Sequence, residues 1–198
     1  MYAARLAGAE LATAVGHHGL ARTQADEARS LRESFRHRFW CAKIGVYALA
    51  LDSEKHPCRV RASNTGHRIY AGIAAGEHVQ TLLKSLSEDT FSSGWGVRTV
   101  ADCEVRYNPM SYHNGSIWPH DNALIAAGMT QLAEKNLATR ILTAQLDAST
   151  YFESSRLPEL FCGFRRREGK ALPAIPLPAP RRPGLLHRYS CCCRPTSV

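Results

Sequence analysis

The stretch Tyr107-Asn108-Pro109-Met110-Ser111-Tyr112-His113-Asn114-Gly115-Ser116-Ile117-Trp118-Pro119-His120-Asp121-Asn122 decides how the rest of the chain is read. It sets tyrosine, tryptophan, two histidines, three asparagines and an aspartate beside two prolines and a glycine, with neither helical nor strand periodicity. Ordering so many hydrogen-bonding and flat aromatic side chains is costly, so such a loop is expected to line a site rather than connect elements. Ala123-Leu124-Ile125-Ala126-Ala127 follows directly and reads as the start of a buried helix. A polar, aromatic loop feeding a buried helix predicts a pocket floor.

Outward from this stretch the chain reads as helix pairs. Residues 2 to 15 are alanine-rich and predict a helix that begins abruptly, with no capping residue before it. His17-His18-Gly19 reads as an exposed turn, and a second helix is predicted from Thr23 to Phe39 with Leu31, Phe35 and Phe39 on one face. Trp40 to Leu51 switches to period two and predicts a short strand or hairpin. Ser63 and Asn64 are placed to cap a helix running to about Ala74, and Glu77 to Leu86 predicts another, buried along Val79, Leu82, Leu83 and Leu86.

Ser92-Ser93-Gly94-Trp95-Gly96 is an aromatic loop, and Val97 to Val100 a short extended piece. After the central stretch, helices are predicted from about Pro119 to Ala133 and from about Leu137 to Phe152, the second buried along Ile141, Leu142, Leu146 and Phe152. Helix hairpins alternating with long aromatic loops predict an all-α toroid whose long loops meet at one end, around one cleft.

Composition agrees with a folded chain, since 44% of the residues are hydrophobic and only 21% charged. The formal charge of +8 invites a nucleic-acid reading, but eight Lys or Arg against one Glu lie between Arg165 and Val198. The basicity therefore belongs to the tail, and no nucleic-acid partner is expected. Cys41, Cys58, Cys103 and Cys162 are scattered without metal-site spacing, and adjacent Cys191-Cys192-Cys193 bridge poorly. No signal pattern and no run approaching the ~20 apolar residues of a membrane span is present, so a cytoplasmic setting with no membrane partner is expected. Asn114-Gly115-Ser116 matches a glycosylation acceptor that is expected to be idle in that setting.

Four strings carry a family resemblance: Ser63-Asn64-Thr65-Gly66-His67, Phe91 through Thr99, Tyr107 through Leu124, and Arg156 through Phe164. They resemble the C-terminal catalytic part of bacterial amylo-α-1,6-glucosidase, or glycogen-debranching-type, proteins. The resemblance runs from about Tyr2 to about Lys170. It implies an all-α, partial (α/α)6 toroid of helix hairpins with short β segments in the long loops. It also implies hydrolysis of α-glucosidic bonds in glycogen or oligosaccharides, with no cofactor and no metal. The competing expectation is a non-catalytic carbohydrate-binding remnant or pseudogene product.

Members of that family are longer, and the segment resembling their catalytic acid lies upstream of the position matching Met1. The chain is thus expected to be truncated at its N-terminus, its partners being an oligosaccharide or polysaccharide substrate and the missing N-terminal half of the same protein. Apolar surface left open by a half-ring is expected to promote aggregation. The domain reading is 1–170 as a partial six-hairpin catalytic domain and 171–198 as a non-native basic tail, expected to be disordered. Bases able to encode Ile175 to Gly184 also encode, one position out, the segment the family carries there. This points to a frameshift near Ala171 to Ala174.

Glycoside hydrolysis needs two carboxylic groups, one protonated to assist the leaving oxygen and one ionised to activate water or attack carbon. Glu159 lies in a Pro-containing loop among Leu157, Leu160 and Phe161, surroundings expected to shield it, and by resemblance it matches the general base of inverting toroid enzymes. The plainer alternative is a loop glutamate paired with Arg156. Asp121 has three open roles: contact with a sugar hydroxyl, a hydrogen bond to His120 or His113, or capping of the helix that follows. Trp95 and Trp118 are candidate sugar platforms, with the core as their alternative, while Tyr112, His113, Asn114 and His120 are candidate hydroxyl contacts. The loose spacing of His113, His120 and Asp121 argues against a metal site.

Overall fold

The computed structural model describes residues 1–74 and 76–172, so the expectations for the tail from Pro173 onward lie outside the described residues. Among the described residues, six α-helices fall into three consecutive pairs: α1 Tyr2–Ala14 with α2 His18–Phe39, α3 Asn64–Tyr70 with α4 Gly76–Ser87, and α5 Pro119–Gln131 with α6 Lys135–Ser149. Between the first two pairs, β1 Trp40–Cys41 and β2 Val46–Tyr47 form an antiparallel hairpin, Trp40 opposite Tyr47 and Cys41 opposite Val46. The fold is mostly helical, built from helix hairpins with short β pairings in the long loops. Among the described residues no helix is long and apolar enough to cross a membrane.

Helix α2 begins at His18, ahead of the predicted Thr23, because the reversal is finished earlier. Gly16 takes a φ of +80°, which glycine adopts without a Cβ clash, and the His17 N–H closes on the Ala12 carbonyl at 2.8 Å. His18 and Gly19 are therefore helical rather than a turn. The α1–α2 pair buries only small side chains, Ala12, Ala21 and Ala28, and leaves Leu11 and Val15 exposed.

One core runs through all three pairs. Its members include Val46 and Tyr47, Leu82, Leu83 and Leu86 of α4, Ile125 and Met129 of α5 and Ile141 of α6, and Phe35 and Phe39 of α2 pack against its edge. Two glycines set the closest helix contact: a Cβ on Gly66 would lie 2.4 Å from Ile125, and one on Gly128 would lie 2.7 Å from the Tyr70 backbone nitrogen. Only hydrogen at both positions lets α3 and α5 approach this closely.

Helix α6 corrects the expected stripe. Its buried face is Ala138, Ile141, Gln145, Ala148 and Ser149, while Leu142 and Leu146 are exposed. The amide of Gln145 is drawn inward because its Nε2 donates to the Trp95 carbonyl at 2.8 Å, and this rotates the two leucines outward. Hydrophobic spacing alone does not see such a polar anchor.

The long loops are laced to one another. Bridges join Ala62 to Val100, Ser92 to Val97, Arg98 to Ile117, and Ile117 to Phe161, each antiparallel. Beneath them, Trp95, Ile117, Ala148, Phe161 and Leu172 form a second, smaller core. Asn122, fully buried on α5, clamps the backbone of Val97 from both sides: the Val97 N–H donates to its Oδ1 at 2.7 Å, and its Nδ2 donates to the Val97 carbonyl at 3.0 Å.

Candidate functional site

The central stretch enters α5 through Pro119, whose missing N–H suits the first helical turn. Just before it, Tyr112, His113, Trp118 and His120 form an aromatic cluster. The Trp118 ring meets Tyr112 edge-on at 4.8 Å, lies parallel to His113 at 5.7 Å and meets His120 edge-on at 5.4 Å. The indole Nε1 donates to the Tyr112 carbonyl and to Ser116 Oγ, each at 3.0 Å, so the half-buried ring is fixed in orientation. His113, Asn114, Trp118, His120 and Asp121 line a cavity of about 330 Å³, completed by Ser63, Asn64 and Thr99 from the neighbouring segments. That size lies within the ~300–1,000 Å³ range of small-molecule sites.

Glu159 reaches the cluster through Tyr112, whose hydroxyl donates to Glu159 Oε1 at 2.7 Å. Backbone contacts bring the two loops together. Ile117 and Phe161 exchange N–H···O bonds at 2.9 and 3.0 Å, and the Gly163 N–H donates to the Pro109 carbonyl at 2.8 Å. A Cβ on Gly163 would fall 1.7 Å from the Gly115 carbonyl oxygen, and one on Gly115, where φ is +148°, would fall 2.7 Å from the Tyr107 ring. The expected apolar shielding of Glu159 is not found: Leu160 and Phe161 turn into the protein while Glu159 is exposed. Its hydrogen-bond partner is Tyr112 rather than Arg156.

Asp121 sits in the first turn of α5 and is only 6% exposed. Its Oδ1 is in ion-pair contact with His67 Nε2 of α3, a partner outside those weighed from the sequence. Trp118 occupies the N-cap of α5 and supplies no side-chain cap. Neither His67 Nε2 nor Asp121 Oδ2 has a further hydrogen-bond partner among the described residues.

Trp95 is the candidate that the fold places elsewhere. Its indole is 1% exposed in the second core, edge-on to Tyr151 at 5.5 Å and covered by the Arg166 guanidinium at 4.3 Å. The glycines on either side have φ of +87° and +149°. A larger recess of about 900 Å³ over Trp95 is walled by Arg140 and residues 165–171. It contains none of the other candidates.

Three residues that organise the site are not assigned by sequence reasoning: His67, Asn122 and Arg98. Arg98 is 1% exposed, and its guanidinium donates to the carbonyls of Gly163 at 2.7 Å, Asp89 at 2.8 Å and Thr90 at 3.1 Å. Tyr107, whose phenol burial pushes above its ordinary value, donates to the same Gly163 carbonyl at 3.0 Å. An arginine inside a short extended segment is the available signal, because a guanidinium enters a core only where several acceptors converge. Burial also pushes the Cys162 thiol up, which suits an inert structural position. Among the described residues no group of three or more His, Cys, Asp or Glu is placed to hold a metal.

Helix hairpins whose laced loops carry an aromatic cavity beside a carboxylate define a chain of the helical-toroid glycosidase class. It belongs to the mannosylglycerate hydrolase MGH1-like glycoside hydrolase domain family, which matches residues 1–164. This membership supports a glycosidase and does not single out the amylo-α-1,6-glucosidase type. No curated protein matches the chain in sequence.

Solved structures share the fold at low identity. A sialidase matches with a TM-score of 0.72 and 14% identity over 87% of this chain and 17% of its own. An uncharacterized conserved protein from Thermus thermophilus matches with a TM-score of 0.66 and 18% identity, over 84% of this chain and 40% of its own. The GH63 mannosylglycerate hydrolase from the same organism, solved in complex with glucose, matches with a TM-score of 0.65 and 18% identity, over 87% of this chain and 42% of its own. The chain thus spans less than half the length of these structures.

Proposed function

We infer that this chain carries the water-activating half of a glycoside hydrolase of amylo-α-1,6-glucosidase type, acting on α-glucosidic bonds in glycogen or oligosaccharides. The observation that carries the reading is the hydrogen bond from Tyr112 to Glu159 beside the Trp118 cavity. It sets a carboxylate next to a flat apolar ring rimmed by hydroxyl-binding groups. Trp118 offers a face to the C–H side of a pyranose, while His113, Asn114, His120 and Asp121 are placed for its hydroxyls. Glu159, oriented by Tyr112, takes a proton from water as it attacks the anomeric carbon. The partner acid is supplied from outside this chain, and the surroundings are cytoplasmic.

A second reading is a carbohydrate-binding chain without turnover. It is favoured by the carboxylates near the cavity: among the described residues that line it the one carboxylate is Asp121, buried against His67, and Glu159 reaches the cluster only through Tyr112. Measuring glucose released from maltose and isomaltose by the purified chain separates the two. Turnover abolished by Glu159→Gln supports the first reading. Sugar binding without turnover supports the second, and binding must then fall on Trp118→Ala.

A further inference from the structure

We propose that His67 is a positioning residue of the carbohydrate site, holding the Asp121 carboxylate so that Asp121 Oδ2 accepts a hydroxyl of a hexose seated on Trp118. The proposal rests on the carbohydrate reading of the cavity. His67 projects from α3, a helix contributing Asn64 to the same cavity, and the close α3–α5 contact at Gly66 and Gly128 brings its ring against Asp121.

An aspartate in the first turn of a helix suits the helix dipole, and that alone explains a surface acid. It does not explain a carboxylate only 6% exposed at a cavity wall, with one oxygen on an imidazole and the other without a donor among the described residues. A buried acceptor left unpaired is destabilising, and groups of this kind recur where a ligand completes the hydrogen bonding. The contact of Nε2 with Oδ1 restrains the carboxylate and narrows the directions from which the buried Oδ2 accepts a hydrogen bond. A flexible surface carboxylate would accept hydroxyls from many directions, whereas this one selects a particular hydroxyl of the ring. Trp118 fixes the plane of the sugar and the His67–Asp121 pair fixes its rotation within that plane.

The test uses the full chain and calorimetric titration with D-glucose, maltose and a panel of singly deoxygenated glucoses. In the wild type one deoxyglucose is expected to bind at least about tenfold more weakly than glucose, the loss of one charge-assisted hydrogen bond. In His67→Phe, glucose itself weakens by a similar factor and the penalty for that deoxyglucose disappears. His67→Gln, which keeps an N–H donor, recovers part of both effects. A folded His67→Phe that binds the whole panel as the wild type does overturns the proposal, since a purely structural role would alter stability without altering discrimination among hydroxyls. If His67→Phe does not fold, Asp121→Asn decides, and an unchanged penalty there overturns it equally. Absence of any glucose or maltose binding by the wild type overturns the carbohydrate reading and this proposal together.

Discussion

Replacing Arg98 by Met removes the guanidinium that ties three loop segments together while keeping an unbranched apolar stem. The wild-type side chain is 1% exposed and donates to the carbonyls of Gly163, Asp89 and Thr90. Hydrogen bonds from a charged donor contribute about 1.5–3 kcal/mol each, but the losses are not simply additive here. The Gly163 carbonyl keeps the Tyr107 hydroxyl at 3.0 Å and the Thr90 carbonyl keeps the Asp102 N–H at 2.9 Å, so only the Asp89 carbonyl loses its donor outright. Relief of guanidinium desolvation offsets part of the remainder.

The net expectation is a loss of about 3–5 kcal/mol, a large share of the ~5–15 kcal/mol by which such domains are stable. Urea unfolding followed by tryptophan fluorescence reads it directly, since Trp95 is buried in the core with Ile117 and Phe161 of the laced loops. Arg98→Lys retains the charge but not the fork and should fall between wild type and Arg98→Met. A loss below about 1 kcal/mol for Arg98→Met would refute the view that this side chain holds the Glu159 loop against the central stretch.

Other consequences follow from the same contacts. Gly128→Ala puts a methyl 2.7 Å from the Tyr70 nitrogen, and overpacking of about 1–3 kcal/mol should outweigh the better helix propensity of alanine; a urea midpoint at or above wild type contradicts this. Burial pushes the His78 imidazole below its ordinary value, with Arg36 adding to the shift and Glu77 opposing it. Its ring lies flat on Trp40 at 3.6 Å and its Nδ1 meets the Tyr47 hydroxyl at 2.9 Å. As pH falls past the ordinary value of ~6.5, the unfolded chain takes up a proton that folded His78 resists. Its stabilisation is therefore full above that pH and is lost below it, so urea midpoints at pH 7.5 and 5.5 should differ less in His78→Phe than in wild type. Tyr112→Phe removes an exposed hydrogen bond to Glu159 and should change stability by no more than about 0.5 kcal/mol. Its effect falls on glucose release, which drops about tenfold where the wild type turns over, the equivalent of ~1.4 kcal/mol in the barrier; equal rates would detach Tyr112 from the base.

Local causes suffice for the helix pairs, the long loops between them and the loop that carries the site. Apolar spacing of three and four residues, prolines that start helices and glycines that end them are all written in short windows of the chain. Tyr112, His113, Asn114, Trp118, His120 and Asp121 meet because they are neighbours in one stretch, whereas Glu159 joins them through loop contacts made only in the folded chain. Which distant groups meet is settled only by the folded chain. Local spacing sets Asp121 against His113 and His120 beside it, yet its partner is His67, brought there by two glycines that let helices touch. The glycines flanking Trp95 suggest a sugar platform, yet the ring lies in the core, where the Trp95 carbonyl is held by Gln145 and a Cβ on Gly96 would fall 2.4 Å from Gln145 Nε2. Leu142 and Leu146 have the spacing of a buried stripe and face outward because Gln145 is held by the Trp95 carbonyl. In each case a long-range polar contact or a close backbone approach overrides a local pattern. Such contacts join residues about 50 positions apart in sequence, as 145 and 95 are, and neither periodicity nor composition encodes that distance.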